Sequence, residues 1–255
     1  MIGSALKLVR DGLLSAGYPS NCRLCNQPVE SWDDGVVCGD CWTDPDVCVT
    51  FRGLPLCPRC GFAPLSKTLA YQSGLSLCGQ CEQMPLHALR SVGLYRGSLE
   101  ASVLFLKSTP HVCPRLCGLI EAACDESARD LSSDIIVPVP LHAARKRERG
   151  FNQASVIARA LSKILHSPVD EKVLVRAKHT ERHRAGMDSF DRSKSISGAL
   201  QISSGDSLRN RRVLLVDDLC TTGSTLSEAA RVLLNSGASR VSAFTIARAA
   251  FGFQS

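Results

Sequence analysis

The chain has 255 residues, 44% hydrophobic and 21% charged, enough to bury an ordinary core and, at roughly 150 residues per domain, to form one or two domains. Aromatic residues make up only 5%, which argues against nucleic-acid binding built on stacked side chains, and no apolar stretch approaches the ~20 residues of a membrane span. The formal charge of +6 is uneven: residues 1–90 carry 7 Lys/Arg against 8 Asp/Glu, and residues 91–255 carry 23 against 16.

The first residues, MIGSALKLVRDGLLSAGY, are broken by Lys7, Arg10 and Asp11, so they lack the uninterrupted apolar segment of a secretory signal. The protein therefore reads as cytoplasmic and free of the membrane. Leu6, Val9, Leu13 and Leu14 fall on one side of a short helix over 3–16, ahead of Pro19, so residues 1–21 form an N-terminal helical segment.

Residues 22–85 follow as a cysteine module. Eight of the thirteen cysteines form four CxxC pairs, Cys22/Cys25, Cys38/Cys41, Cys57/Cys60 and Cys78/Cys81. In a reducing compartment disulfides are disfavoured, and two cysteines separated by two residues can turn both sulfurs toward one tetrahedral Zn²⁺. The spacing predicts two structural zinc sites, Cys22/Cys25/Cys38/Cys41 and Cys57/Cys60/Cys78/Cys81, with a cross-braced pairing as the alternative. Four thiolates outweigh one Zn²⁺, so two such sites would bring the module to about −5 and the chain to about +2. An acidic module is ill suited to gripping phosphates, which points to a structural or protein-facing role. The segment is turn-rich, and metal ligation would supply its folding energy. Its core is expected to be separate from that of the remaining chain.

From residue 86 the texture becomes α/β. The pattern predicts a strand at Val92–Tyr95, helices over 98–107 and 114–128, a buried strand at Ile135–Val139, a charged loop, and a helix over about 153–166 that Asn152 can cap. A short strand at Val173–Val175, a strand at Val213–Val216, a helix over 224–235 stopped by Gly237 and a strand at Val241–Ala247 complete it. Strands alternating with helices predict a parallel sheet. Cys113, Cys117 and Cys124 fall on one helix and read as core cysteines.

The chemistry concentrates in RRVLLVDDLCTTGSTLSEAARVLL, residues 211–234. A β-branched strand is expected to end at Asp217 and Asp218, followed by a hydroxyl-rich glycine loop and an amphipathic helix. Amides of Thr221, Thr222, Gly223, Ser224 and Thr225 at a helix N-terminus suit a phosphate, and the two carboxylates suit sugar hydroxyls or Mg²⁺. A plain capping box between Thr225 and Glu228 is the simpler alternative. Arg145, Lys146, Arg147 and Arg149 form a dense cationic loop leaving the 135–139 strand, which by itself reads as a solvated charged loop or a basic patch for nucleic acid.

VLLVDDLCTTGSTL closely resembles the phosphoribosyl-pyrophosphate (PRPP) motif of type I phosphoribosyltransferases. PVPLH and RGFNQA, downstream of paired CxxC motifs and LYRGSLEASVLFLK, resemble the ComF family of competence-associated, phosphoribosyltransferase-like proteins. The resemblance covers nearly the whole chain. It implies a type I phosphoribosyltransferase-like α/β domain, PRPP with Mg²⁺ at residues 217–225, and pyrophosphate at the loop carrying Arg145, Lys146, Arg147 and Arg149. It further implies a polar cover over 176–194, a segment with six Lys/Arg, three acids, His179 and His183. Oxopurine-type enzymes of that class carry an Asp where this chain has Thr221, and a threonine hydroxyl cannot serve as a base at neutral pH. Two functions follow as expectations. One is a PRPP-binding protein, with or without transfer to a nitrogen nucleophile. The other is a non-enzymatic adaptor in DNA uptake or processing, binding single-stranded DNA through its basic loops and a protein partner through its zinc module.

Overall fold

In the computed structural model the described residues are 21–53, 57–62, 81, 84–176, 200–203 and 208–249. The expected helix over 3–16, Cys78, and the segment 177–199 with His179 and His183 lie outside them. A 3₁₀ turn at Trp32–Asp34 and a short helix α1 (Gly39–Thr43) belong to the cysteine-rich part. The α/β part runs β1 (Leu89–Leu94), α2 (Gly97–Leu106), α3 (Pro114–Glu126), α4 (Ala128–Leu131), β2 (Ile135–Pro138), α5 (Ala143–Arg149), α6 (Gln153–Leu165), β3 (Leu174–Arg176), β4 (Leu200–Ile202), β5 (Arg212–Cys220), α7 (Ser224–Asn235) and β6 (Arg240–Arg248).

The parallel sheet has the order β1-β6-β5-β2, and β3 and β4 form a separate antiparallel pair. Side chains alternate across the parallel sheet as a two-residue repeat requires. Leu214, Val216, Phe244 and Ile136 enter one apolar layer with α2, α3 and α6; Val213, Leu215, Val241 and Val137 enter the other with α7 and the β3–β4 pair. Both sheet edges are covered. Residues 49–51 pair antiparallel to β1, with Phe51 N–H donating to Val92 O at 2.9 Å and Leu94 N–H to Val49 O at 2.9 Å. Along β2, Ile136 N–H donates to Pro168 O and Asp170 N–H to Ile136 O.

Three expectations need correction. The charged stretch after β2 is a helix, α5, whose residues are all at least partly exposed; with no apolar face it left no periodicity to read. Its end is set by Gly150 at φ +79°, in the left-handed region that glycine tolerates. β5 does not end at Asp217 but runs through both acids to Cys220. The cores are not separate: Cys22, Val37, Cys38, Cys41 and Trp42 share one buried cluster with Val92, Leu99, Leu116 and Phe244. Trp42, buried, donates its Nε1–H to Asp34 O at 2.9 Å, and Asp34 receives Arg115 of α3 at 3.0 Å. Trp42→Ala should therefore cost the whole molecule about 3–5 kcal/mol, the range for deleting a buried aromatic. In urea unfolding, circular dichroism and the fluorescence of the remaining Trp32 should shift together; two separated transitions would restore the independent-core reading.

Candidate phosphate-binding site

β5 carries Asp217 and Asp218 into a turn at Thr221 and Thr222, and Gly223 caps α7 at φ +76° with no side-chain cap. The Thr225–Glu228 capping box does not form, because α7 already begins at Ser224. Thr222 Oγ1 accepts the Ser224 amide at 3.3 Å and lies 2.9 Å from Ser224 Oγ. Thr221 and Thr222 are exposed, Ser224 and Thr225 partly so, and Gly223 is buried. The first turn of a 12-residue helix thus faces outward with hydroxyls around it, the arrangement that holds an anion.

The acids differ in setting. Asp218 is buried and accepts the Gln153 side-chain amide at 3.2 Å, while Gln153 Oε1 receives Arg149 at 3.0 Å. Asp217, partly exposed, accepts the Asp218 backbone amide at 2.9 Å. Burial pushes the Asp217 carboxyl well above the ordinary carboxylate range, and the neighbouring Asp218 charge adds to it, against the opposing pull of Arg176. Arg176 at the end of β3 is lowered by burial and by the nearby Arg145, while Asp217 acts the other way; its Nε is buried without a hydrogen-bond partner among the described residues. Tyr95, just past β1, is raised by burial and by the charges of Glu100 and Asp218.

The structure thus links Arg149 to Asp218 through Gln153, while Arg145 stands near Arg176 rather than the acids. Lys146 and Arg147 sit exposed on the same helix and make neither link among the described residues. Asn152 is the α6 cap, accepting from Ala154 N–H at 3.1 Å while donating to Val139 O at 2.9 Å, so it fixes α6 on the end of β2. Gln153, Arg176 and Tyr95 join the site without having been singled out from the sequence. Arg176 opens a basic stretch, but nothing in its own pattern marks it as facing Asp217.

The cysteines group as expected where they are described. The sulfurs of Cys22, Cys25, Cys38 and Cys41 all lie within 4.8 Å of one another, as do those of Cys57, Cys60 and Cys81. Cys25–Cys38 and Cys57–Cys81 contacts are 3.5 Å. A tetrahedral Zn²⁺ with Zn–S of about 2.3 Å separates its sulfurs by roughly 3.8 Å, so both groups could hold a metal ion. At Cys22, burial pushes the thiol up, but the amides of Cys25, Cys38 and Leu24 outweigh it and bring the value to about 6. Cys48, Cys113, Cys124 and Cys220 are buried and stand apart from these groups; burial raises Cys124 to about 12 and Cys220 to about 11.

The sequence profile of the phosphoribosyl transferase domain matches residues 127–250, which contain β2, α5, the 217–225 segment, α7 and β6. With the parallel sheet and the loop at its carboxyl end, this defines a phosphoribosyltransferase-like domain. The chain is 38% identical over 117 residues to Competence protein F of Haemophilus influenzae, covering 46% of this chain and 51% of that protein. It is 28% identical over 237 residues to DNA utilization protein YhgH of Escherichia coli (strain K12), covering 90% of this chain and 97% of that one. Identity to Competence protein ComFC of Bacillus subtilis is 36% over 118 residues, 45% of this chain and 44% of the relative. The match spans about half of each competence protein and nearly all of YhgH. The chain is thus similar to proteins named for competence and for DNA utilization. No helix of the described residues is long and apolar enough to cross a membrane.

Proposed function

We propose that this protein binds PRPP with Mg²⁺, the 5′-phosphate on the 221–225 loop, the ribose hydroxyls and Mg²⁺ toward Asp217 and Asp218, and the pyrophosphate toward Arg145 and Arg149. The observation that carries the reading is the N-terminus of α7, where the N-cap Gly223 has no side chain and a left-handed conformation, a few residues after two strand-borne carboxylates. Mg²⁺, when bound with the ligand, would neutralise pyrophosphate charge and help it depart. The protein's own part is positional. Gln153 holds one carboxylate in a fixed orientation, and Arg149, tied to Gln153, presents its charge beside it. If transfer occurs, a nitrogen nucleophile forms the bond to ribose C1 as the C1–O bond to pyrophosphate breaks, and the nucleophile gives up its proton. Thr221 supplies no base for that proton, which disfavours an oxopurine acceptor. The two cysteine groups hold structural Zn²⁺, and a reducing cytoplasm is the compartment that suits such thiolates.

Calorimetric titration with PRPP and Mg²⁺ tests the reading. Binding should require Mg²⁺ and disappear in the Asp217→Asn, Asp218→Asn double variant with the fold retained; parental affinity in that variant would end the assignment. A second reading is favoured by the names of the relatives, which concern competence and DNA utilization. In it the chain is an adaptor, holding single-stranded DNA along the exposed Arg145–Lys146–Arg147 helix and a protein partner on the cysteine module. Such DNA binding should survive loss of both acids and fall steeply with salt.

A further inference from the structure

Arg248 closes β6 with a guanidinium that has almost no contact with water: the residue is 1% exposed. One of its nitrogens, Nη1, donates to the carbonyl of Cys60, and the guanidinium lies over the Phe62 ring at 5.2 Å from the centroid. Its Nε and Nη2 are buried with no hydrogen-bond partner among the described residues. The contrast with Arg90 on the neighbouring strand is instructive. Arg90 is also buried and also holds this knuckle, donating to Pro58 O at 2.7 Å, but it has a carboxylate, Asp130, as counter-charge. Arg248 has no carboxylate partner among the described residues.

A guanidinium stays charged at any accessible pH, and a buried charge without an anion is strongly unfavourable. The feature that borders Arg248 is the group Cys57, Cys60 and Cys81, packed with Met84 and Phe62. As neutral thiols these residues offer no counter-charge. As ligands of a divalent ion, three thiolates leave a net charge of −1 and a fourth makes it −2.

The same knuckle abuts the phosphate loop. Met84 N–H donates to Cys81 O at 3.1 Å, and the Met84 side chain covers Gly223, where a Cβ would stand 2.2 Å from the Met84 methyl. Arg248 is the register partner of Cys220, the last residue before the loop, and Ala249 N–H donates back to Cys220 O at 2.9 Å.

We propose that Arg248 is the counter-cation of a metal–thiolate centre at Cys57, Cys60 and Cys81, and that this centre holds the 221–225 loop in its ligand-binding form through Met84. The second half of the statement rests on the reading of that loop as a phosphate seat; the first half does not. Arg248 is a positioning residue, buried away from any ligand. The group at Cys22, Cys25, Cys38 and Cys41 packs instead toward α2 and α3.

The test uses full-length protein loaded with zinc. Release of zinc to a colorimetric chelator is followed in the parent, in Arg248→Gln and in Arg248→Lys, with Arg52→Gln, an exposed arginine, as control. Arg248→Gln should weaken retention of one zinc equivalent by about 10–100-fold, the range for losing a group that supports metal ligands, and leave the other unchanged. Arg248→Lys restores the charge and should hold that zinc within about 3-fold of the parent, well inside that range. Parental retention of both zinc equivalents in folded Arg248→Gln would overturn the assignment. Should Arg248→Gln not fold, Arg248→Lys decides alone, and a loss of 10-fold or more there, again on the scale of a lost supporting group, overturns it. The coupling is read by titrating PRPP and Mg²⁺ into parent protein before and after removal of the weaker zinc. Affinity should fall about 5-fold or more and return when zinc is added back; unchanged affinity overturns the coupling. A parent that binds no PRPP would refute the phosphate-seat reading and the coupling with it, while the zinc-release result would still decide the role of Arg248.

Discussion

Gly223→Val should abolish binding of both PRPP and ribose 5-phosphate. The backbone is the main constraint at this position. Its φ of +76° is a conformation that a β-branched residue adopts only with strain, and a Cβ there would in addition displace the Met84 methyl, 2.2 Å away. The residue would have to rotate toward the β or right-handed helical region, turning the first amides of α7 away from the loop mouth. Thr222→Ala is the measured contrast. It removes the Oγ1 that accepts from the Ser224 amide, together with one donor to a ligand, but leaves every backbone N–H in place. It should cost about 1–3 kcal/mol, the range for one hydrogen bond to a charged group. Titration of each variant, with circular dichroism to verify the fold, separates the two. Equal affinity in parent and Gly223→Val would remove the phosphate from this loop.

Asp217→Asn should eliminate Mg²⁺-dependent binding and raise the stability of the ligand-free protein. Burial and the charge of Asp218 raise the folded-state value of Asp217 above that of the unfolded chain. Between those two values the folded state holds more protons than the unfolded state, so this group's contribution to stability falls as pH rises. It levels off above the raised value, where Asp217 is ionised in both states. At neutral pH the parent keeps a penalty that the amide lacks, and the variant should melt higher by about 2–4 °C for each kcal/mol relieved. Ligand binding runs the other way: Mg²⁺ requires the ionised form, so affinity in the parent should fall with decreasing pH at a higher pH than an ordinary carboxylate would give. A lower melting temperature for Asp217→Asn at neutral pH would show that the carboxylate supports the fold rather than the ligand.

The loop and the cysteine groups were readable because their residue types are rare in combination: four CxxC pairs within sixty residues, and two acids followed by a hydroxyl-rich glycine turn. Strand lengths were not, and for one physical reason. Arg90, Asp217 and Asp218 lie inside strands and Arg248 is the last residue of one, yet each breaks with an apolar run and so marks an apparent strand end. Each is tolerated for its own reason, Arg90 by Asp130 and Asp218 by Gln153. Such partners lie far along the chain and leave no local trace. β4 escaped notice because three residues carry no period, and its partner β3 closes at residue 176, well upstream of Leu200. The shared core was hidden too, since cysteines assigned to metal were not also counted as apolar packing, which Cys22, Cys38 and Cys41 provide.

The pairing of β1 with β6 has a consequence for the growing chain. β1 is complete at residue 94, but the strand beside it in the sheet begins at residue 240. At ~5–20 residues per second, translation leaves an interval of about 7–30 s in which β1 has no sheet to join. During that time the strip at residues 49–51 and the Arg59 carbonyl, which accepts from Leu89 N–H at 2.6 Å, are already made and can pair with it. Sheet closure is therefore a late, non-local event, and the last strand made is the one that joins the first to the rest. A nascent chain released before residue 248 would leave the cysteine-rich part docked on half a sheet, with β1 open to the edge of another molecule.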